Sequence, residues 1–125
     1  MIEVVAAALE NNQGQVLIAK RKEGKGLGGY WEFPGGKIEA GETPEEALQR
    51  ELMEEMGVEV QVSDYLGESV YDYSDFTVKL MVFRGEIIRG DINLYTHQEY
   101  RWVEKEELPN YKFPPANQVI IDKLI

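Results

Sequence analysis

Near the start of the chain, apolar residues fall into two short runs, Val4–Leu9 and Val16–Ala19, separated by Asn11-Asn12-Gln13-Gly14. Two β-prone runs around a turn of asparagine and glycine predict a hairpin. The next segment, residues 22–29 (KEGKGLGG), is polar and rich in glycine, which predicts a loop. Trp31-Glu32-Phe33 then reads as a short extended piece, halted by Pro34-Gly35-Gly36.

The clearest helix follows. Thr43-Pro44-Glu45-Glu46 joins an N-cap threonine, a proline at the first helical position and a glutamate spaced for a capping box. Gly57 stands just beyond the last periodic residue, where a left-handed glycine ends a helix. Beyond it the period changes from helical to alternating: Val58, Val60 and Val62 interleave with Glu59 and Gln61, as in a strand. Phe76–Ile88 predicts a long, bent central strand, Tyr71–Asp75 a turn before it, and Tyr100–Val103 another short strand. Phe113-Pro114-Pro115 introduces a terminal helix reaching Leu124-Ile125. Strands outnumber helices, and the helices sit mid-chain and at the end. This predicts an α/β protein with a mixed sheet flanked by helices.

The 125 residues are enough for one domain with a hydrophobic core, over 1–125. A composition of 43 % hydrophobic and 29 % charged residues is that of a folded soluble chain. With no cysteine, disulfides and thiolate metal sites are excluded, and a cytoplasmic location is expected. Val4–Leu9 is too short for a signal peptide core or a membrane span. A formal charge of −10 opposes binding to nucleic acid polymers or anionic membranes. It would also repel a polyphosphate unless divalent cations intervened.

Part of that acidity is concentrated on one helix. At about 100° per residue, Glu54 and Glu55 fall about 60° and 40° to either side of Glu51. Leu48, Leu52 and Met56 recur every fourth residue on the adjoining sector and should face the core. Like charges at these spacings each cost about 0.2–0.5 kcal/mol, and the macrodipole disfavours anions in the last turn. Two readings stand at this point. One is a solvated acidic face partly offset by Arg50; the other is a hard-cation site for Mg²⁺ or Mn²⁺.

Residues 36–58 fit a known pattern: glycine, five residues, glutamate, seven residues, Arg-Glu, an aliphatic, any residue, Glu-Glu, any residue, glycine, an aliphatic. Gly36, Glu42, Arg50, Glu51, Leu52, Glu54, Glu55, Gly57 and Val58 meet every specified position. The chain thereby resembles the Nudix hydrolases. EFPGGKIE at 32–39, FPPAN at 113–117, and Arg21 eleven residues before Glu32 are similar to the MutT branch of nucleoside triphosphate pyrophosphohydrolases.

The resemblance implies the Nudix α/β/α sandwich with a central mixed β-sheet. It implies Mg²⁺, with Mn²⁺ as an alternative, held by Glu51, Glu54, Glu55 and the Gly35 carbonyl, with Glu42 in support. Arg50 would fix Glu51 by a charge-assisted hydrogen bond, and Glu51 is the first candidate base. The implied reaction releases a nucleoside monophosphate and pyrophosphate. The family often supplies a further carboxylate from a loop after this pattern; here Thr96 stands where glutamate is expected, so that either Glu99 substitutes or the role is vacant. His97 is read as a satisfied loop histidine, with a catalytic role as the alternative. Arg21, Glu32, Phe33, Pro34, Gly35, Tyr73 and Asn117 are the candidate nucleotide-binding residues. For two of them a purely structural role stays open: Asn117 as a cap of the terminal helix, and Tyr73 as packing on a turn.

The implied substrate is 8-oxo-dGTP or a related nucleoside triphosphate such as CTP, as in nucleotide-pool sanitising. The partner is thus a small-molecule nucleotide, for a monomer or homodimer. Alternatives are a Nudix hydrolase of ADP-ribose, a dinucleoside polyphosphate or an RNA cap, and a non-catalytic nucleotide sensor. Gly24–Gly29 formally satisfies G-x-G-x-x-G, but it leads into Tyr30-Trp31 and not a helix, so a dinucleotide site is not expected.

Overall fold

The structure is a computed structural model that describes residues 1–24 and 28–124. Along the chain run β1 (Ile2–Leu9), β2 (Val16–Arg21), β3 (Trp31–Glu32), β4 (Gly35–Lys37), α1 (Pro44–Met56), β5 (Glu59–Asp72), β6 (Thr77–Arg89), β7 (His97–Val103), a 3₁₀ helix (Lys105–Asn110) and α2 (Pro115–Leu124). They form a mixed sheet ordered β4-β1-β6-β5 and a smaller sheet ordered β3-β2-β7. In the mixed sheet β1 runs parallel to β6, and its other neighbour pairs are antiparallel.

Strand alternation in β1 places one helix on each face. Val5, Ala7 and Leu9 point into a core with Leu48, Leu52 and Met56 of α1. Ala6 and Ala8 point the other way, into a core with Ile120, Ile121 and Leu124 of α2. This is an α/β/α sandwich, and it explains why β1 is apolar at consecutive positions: both its faces are covered. Leu52 is fully buried, so cutting it to alanine should cost about 2–5 kcal/mol.

The helix signals are met in full. The Glu46 amide donates to Thr43 Oγ1 at 3.1 Å, and the Thr43 amide donates to Glu46 Oε1 at 2.8 Å, closing the capping box. Gly57 takes the left-handed conformation, φ 69°, and its amide donates to the Met53 carbonyl.

Several expectations need correction. The turn after β1 forms, with the Gly14 amide donating to the Asn11 carbonyl, but β1 and β2 do not make a hairpin. They part after one bridge, Glu10 to Val16, and enter different sheets. Gly35 and Gly36 do not simply stop a strand; they form β4 against β1. The strand begun at Val58–Val62 continues to Asp72, its alternation hidden by irregularities between Val62 and Tyr65 and between Tyr65 and Gly67. The turn between β5 and β6 is accordingly shorter than 71–75 and closes by the Tyr73 amide donating to the Phe76 carbonyl. β7 starts at His97, so this residue lies on a strand and not in a loop. Residues 25–27 of the Gly24–Gly29 segment lie outside the described residues; the next element is strand β3, which leaves the dinucleotide fingerprint without its helix. The terminal helix is described to Leu124, and Ile125 lies outside the described residues.

Candidate active site

A cavity of about 730 Å³ collects residues from both sheets and both helices. Its polar wall includes Glu51 and Glu55 of α1, Gly35 and Gly36 of β4, and Arg21 and Glu32 of the smaller sheet. Its apolar wall includes Phe33, Tyr73, Val78, Leu80 and Ala116. Asn117 also lines it. Pro34, between the two sheets, does not; its carbonyl accepts the Ala7 amide at 2.9 Å and so pins the crossing from β3 to β4.

Arg50 organises the acidic face of α1. Its Nε and Nη2 donate to the two oxygens of Glu42 at 2.6 and 2.9 Å, and Nη1 donates to Glu51 Oε1 at 3.0 Å and to Glu54 Oε2 at 3.2 Å. Nη2 also donates to the Lys37 carbonyl at 3.1 Å, which ties the helix to β4. The hydrogen bond from Arg50 holds the Glu42 carboxyl below the usual carboxylate range. Glu42 is thus a support for Arg50. Glu51 is largely covered, at 16 % side-chain exposure, whereas Glu54 is 60 % exposed and outside the cavity wall.

Glu55 differs from its neighbours. Burial pushes its carboxyl up to about 7; His97 opposes the shift, Glu32 and Glu51 reinforce it, and the Gly35 backbone opposes it. Its Oε1 is buried and has no hydrogen-bond partner among the described residues. Its Oε2 lies 3.4 Å from Thr96 Oγ1. The position where a family carboxylate is expected therefore does reach the acidic face, but with a hydroxyl.

These features fit a divalent cation. An orphaned buried carboxylate oxygen is costly unless a proton or a cation meets it. At Gly36 a β-carbon would collide with the Glu51 carboxylate, so the glycine makes room for that group beside the strand. Among the described residues, no three acidic, histidine or cysteine side chains already stand in metal-holding geometry. Arg50 holds both Glu51 and Glu54.

Glu99 needs correction. It pairs with Lys20 across β7 and β2, while His97 pairs with Arg21, so an irregularity absorbs one residue between them. Adjacent positions on β2 face opposite sides, which puts Glu99 on the side away from Arg21. Glu99 accepts a hydrogen bond from Arg101 Nε at 3.0 Å and is absent from the cavity wall.

The two residues with open structural alternatives resolve differently. Asn117 is the third residue of α2, inside the helix, 8 % exposed and in the cavity wall. Tyr73 lines the cavity, and its hydroxyl accepts the Ala116 amide at 3.1 Å, which anchors the start of α2. Phe76 was not foreseen. It lies in the cavity wall, 45 % exposed, with its ring stacked on Tyr73 at 5.5 Å. An aromatic beside a turn was the available signal, and it pointed equally to a strand start.

An α/β/α sandwich whose first helix carries the residues of the 36–58 pattern into a cleft defines a class, and comparison with known proteins agrees. A model of the NUDIX domain matches residues 5–123, and the chain belongs to that family. It is 35 % identical over 122 residues to the CTP pyrophosphohydrolase of Escherichia coli, covering 98 % of this chain and 90 % of that protein. It is 35 % identical over 125 residues to the 8-oxo-dGTP diphosphatase of Haemophilus influenzae, covering 100 % of this chain and 92 % of that one. The crystal structure of a MutT protein from Methanosarcina mazei superposes with a TM-score of 0.88 at 29 % identity, covering 98 % of this chain and 91 % of its own. Among the described residues, no helix is long and apolar enough to cross a membrane.

Proposed function

We propose that this protein is a cytoplasmic Nudix pyrophosphohydrolase, one domain over residues 1–125, that hydrolyses a nucleoside triphosphate to a monophosphate and pyrophosphate. 8-oxo-dGTP is the leading substrate and CTP the next. One observation carries the reading: a single cavity holds the α1 carboxylates Glu51 and Glu55 together with Phe33, Tyr73 and Asn117. Acidic groups that favour a cation-bound phosphate chain thus share walls with rings and an amide that suit a base.

Glu51, Glu54 and Glu55, with the Gly35 carbonyl, would hold Mg²⁺ or Mn²⁺. The bound cation supplies positive charge that neutralises the phosphate chain and acidifies water. The side chains do the rest. Glu51, oriented by Arg50, accepts the proton of the attacking water. Arg21 offers a guanidinium to the anionic nucleotide. The Asn117 amide donates to and accepts from the base edge, and Tyr73 and Phe33 flank it. Walls that exclude water strengthen each of these polar contacts.

A panel of 8-oxo-dGTP, dGTP, CTP, dCTP and ADP-ribose, run with Mg²⁺ and read by monophosphate and pyrophosphate release, tests this. Fastest turnover of a triphosphate is expected. Cleavage of ADP-ribose alone rejects the substrate class, and binding without turnover rejects the enzyme.

A further inference from the structure

His97, the one histidine of the chain, is 4 % exposed and outside the cavity wall, yet both its ring nitrogens are engaged. Nε2 lies 2.8 Å from Glu32 Oε2. That separation is a hydrogen bond, whichever ring tautomer sets its direction. Nδ1 lies 3.3 Å from Thr96 Oγ1, which in turn lies 3.4 Å from Glu55 Oε2. The other oxygen of Glu32 accepts from Arg21 Nη1 at 3.1 Å. A continuous polar chain therefore runs Arg21–Glu32–His97–Thr96–Glu55, with its two ends and Glu32 in the cavity wall.

We propose that His97 is a positioning residue: it clamps one oxygen of Glu32 so that the other presents the Arg21 guanidinium to the nucleotide. This rests on the reading of the cavity as a nucleotide site. The physical need is clear from exposure. Arg21 and Glu32 side chains are 35 % and 20 % exposed, and a partly exposed pair of long side chains contributes little while each partner keeps its rotamer freedom. A ring buried on a paired strand has no such freedom. Bonding Glu32 to it converts a loose surface pair into a fixed one, and a fixed cation binds an anion at lower entropic cost. The Glu32 main chain is fixed as well, since β3 pairs with β2 at Ala19 and Glu32.

The test uses His97→Phe, which keeps ring shape without polar atoms, and His97→Gln, whose Nε2 can still donate to Glu32. Both are assayed as the full chain with Mg²⁺ and the triphosphate the wild type turns over fastest. The Phe variant should raise KM at least about tenfold with kcat within about threefold, the signature of lost binding. The Gln variant should stay within about threefold of wild type in KM. In an Arg21→Ala background, His97→Phe should add no further rise, because the residue it positions is gone. An unchanged KM in His97→Phe, or an effect that multiplies intact onto Arg21→Ala, overturns the proposal. If His97→Phe loses its native circular dichroism, Glu32→Gln and Arg21→Ala, singly and together, make the same comparison, with non-additive KM effects expected and additive ones overturning. If the wild type turns over no nucleotide, the functional reading has failed, and the clamp is read separately from the ¹⁵N resonances of the His97 ring. A shift of Nε2 on Glu32→Gln supports the clamp, and no shift overturns it.

Discussion

Arg50 grips Glu42 with two parallel hydrogen bonds, Nε to Oε2 at 2.6 Å and Nη2 to Oε1 at 2.9 Å, and this leaves Nη1 for Glu51 and Glu54. The fork fixes where the third nitrogen points. Lysine, a compact charge on a flexible stem, cannot grip both oxygens of Glu42 in a planar fork while holding a further donor fixed towards Glu51. Arg50→Lys should therefore lower kcat at least about tenfold with the far-ultraviolet circular dichroism unchanged. Wild-type kcat in this variant would show that the fork does not orient Glu51.

Glu51→Gln keeps the shape of the side chain and removes its capacity to take a proton. Turnover should fall at least about a hundredfold, the lower end of general-base loss, while thermal denaturation shows a folded protein. Full turnover would take Glu51 out of the proposed chemistry.

The two glycines of β4 should respond differently to alanine. At Gly36 the new β-carbon meets the flexible end of Glu51, whereas at Gly35 it meets the backbone of Val5 and Ala6. A carboxylate can swing away; a paired strand cannot. Gly36→Ala should thus lose activity and keep most of its stability, and Gly35→Ala should unfold at a markedly lower urea concentration. Equal midpoints for the two variants would contradict the cradle seen around Glu51.

Glu55 makes stability depend on pH. Its folded-state pKa, raised by burial to about 7 from a reference of 4.5, means that the folded protein binds the proton more tightly than the unfolded chain. That contribution is fully present below about 4.5 and is lost as pH rises through about 7. In metal-free protein, Glu55→Gln should match wild type at pH 4.5 and exceed it above pH 7, by at most about 3 kcal/mol. Urea denaturation at the two pH values measures this. Mg²⁺ should recover the difference for wild type and stabilise the variant less, since it lacks one of the proposed ligands. A constant gap at both pH values would refute the buried-carboxylate account.

The local rules carried far in this chain. Thr43, Pro44, Glu46 and Gly57 encode the ends of α1 by themselves, because capping is settled within a few residues, and the 3.6-residue period sets which side chains share its acidic face. The box residues likewise announce the family, and the alternation at Val58–Val62 announces a strand. Sequence spacing could not decide pairing. Whether β2 lies beside β1 depends on residues far away, and β1 takes Lys37–Gly35 and Val78–Gly85 as neighbours instead. The same limit explains Glu99 and His97. Their separation by one residue predicts a shared face, and only the irregularity opposite Lys20 and Arg21 reverses it. It buries the histidine against Glu32 and turns the glutamate away. Local conformation is a property of neighbouring residues, so the chain alone determined it; the cavity is made of contacts between distant segments, and only the packed sheets could decide which side chains enter it.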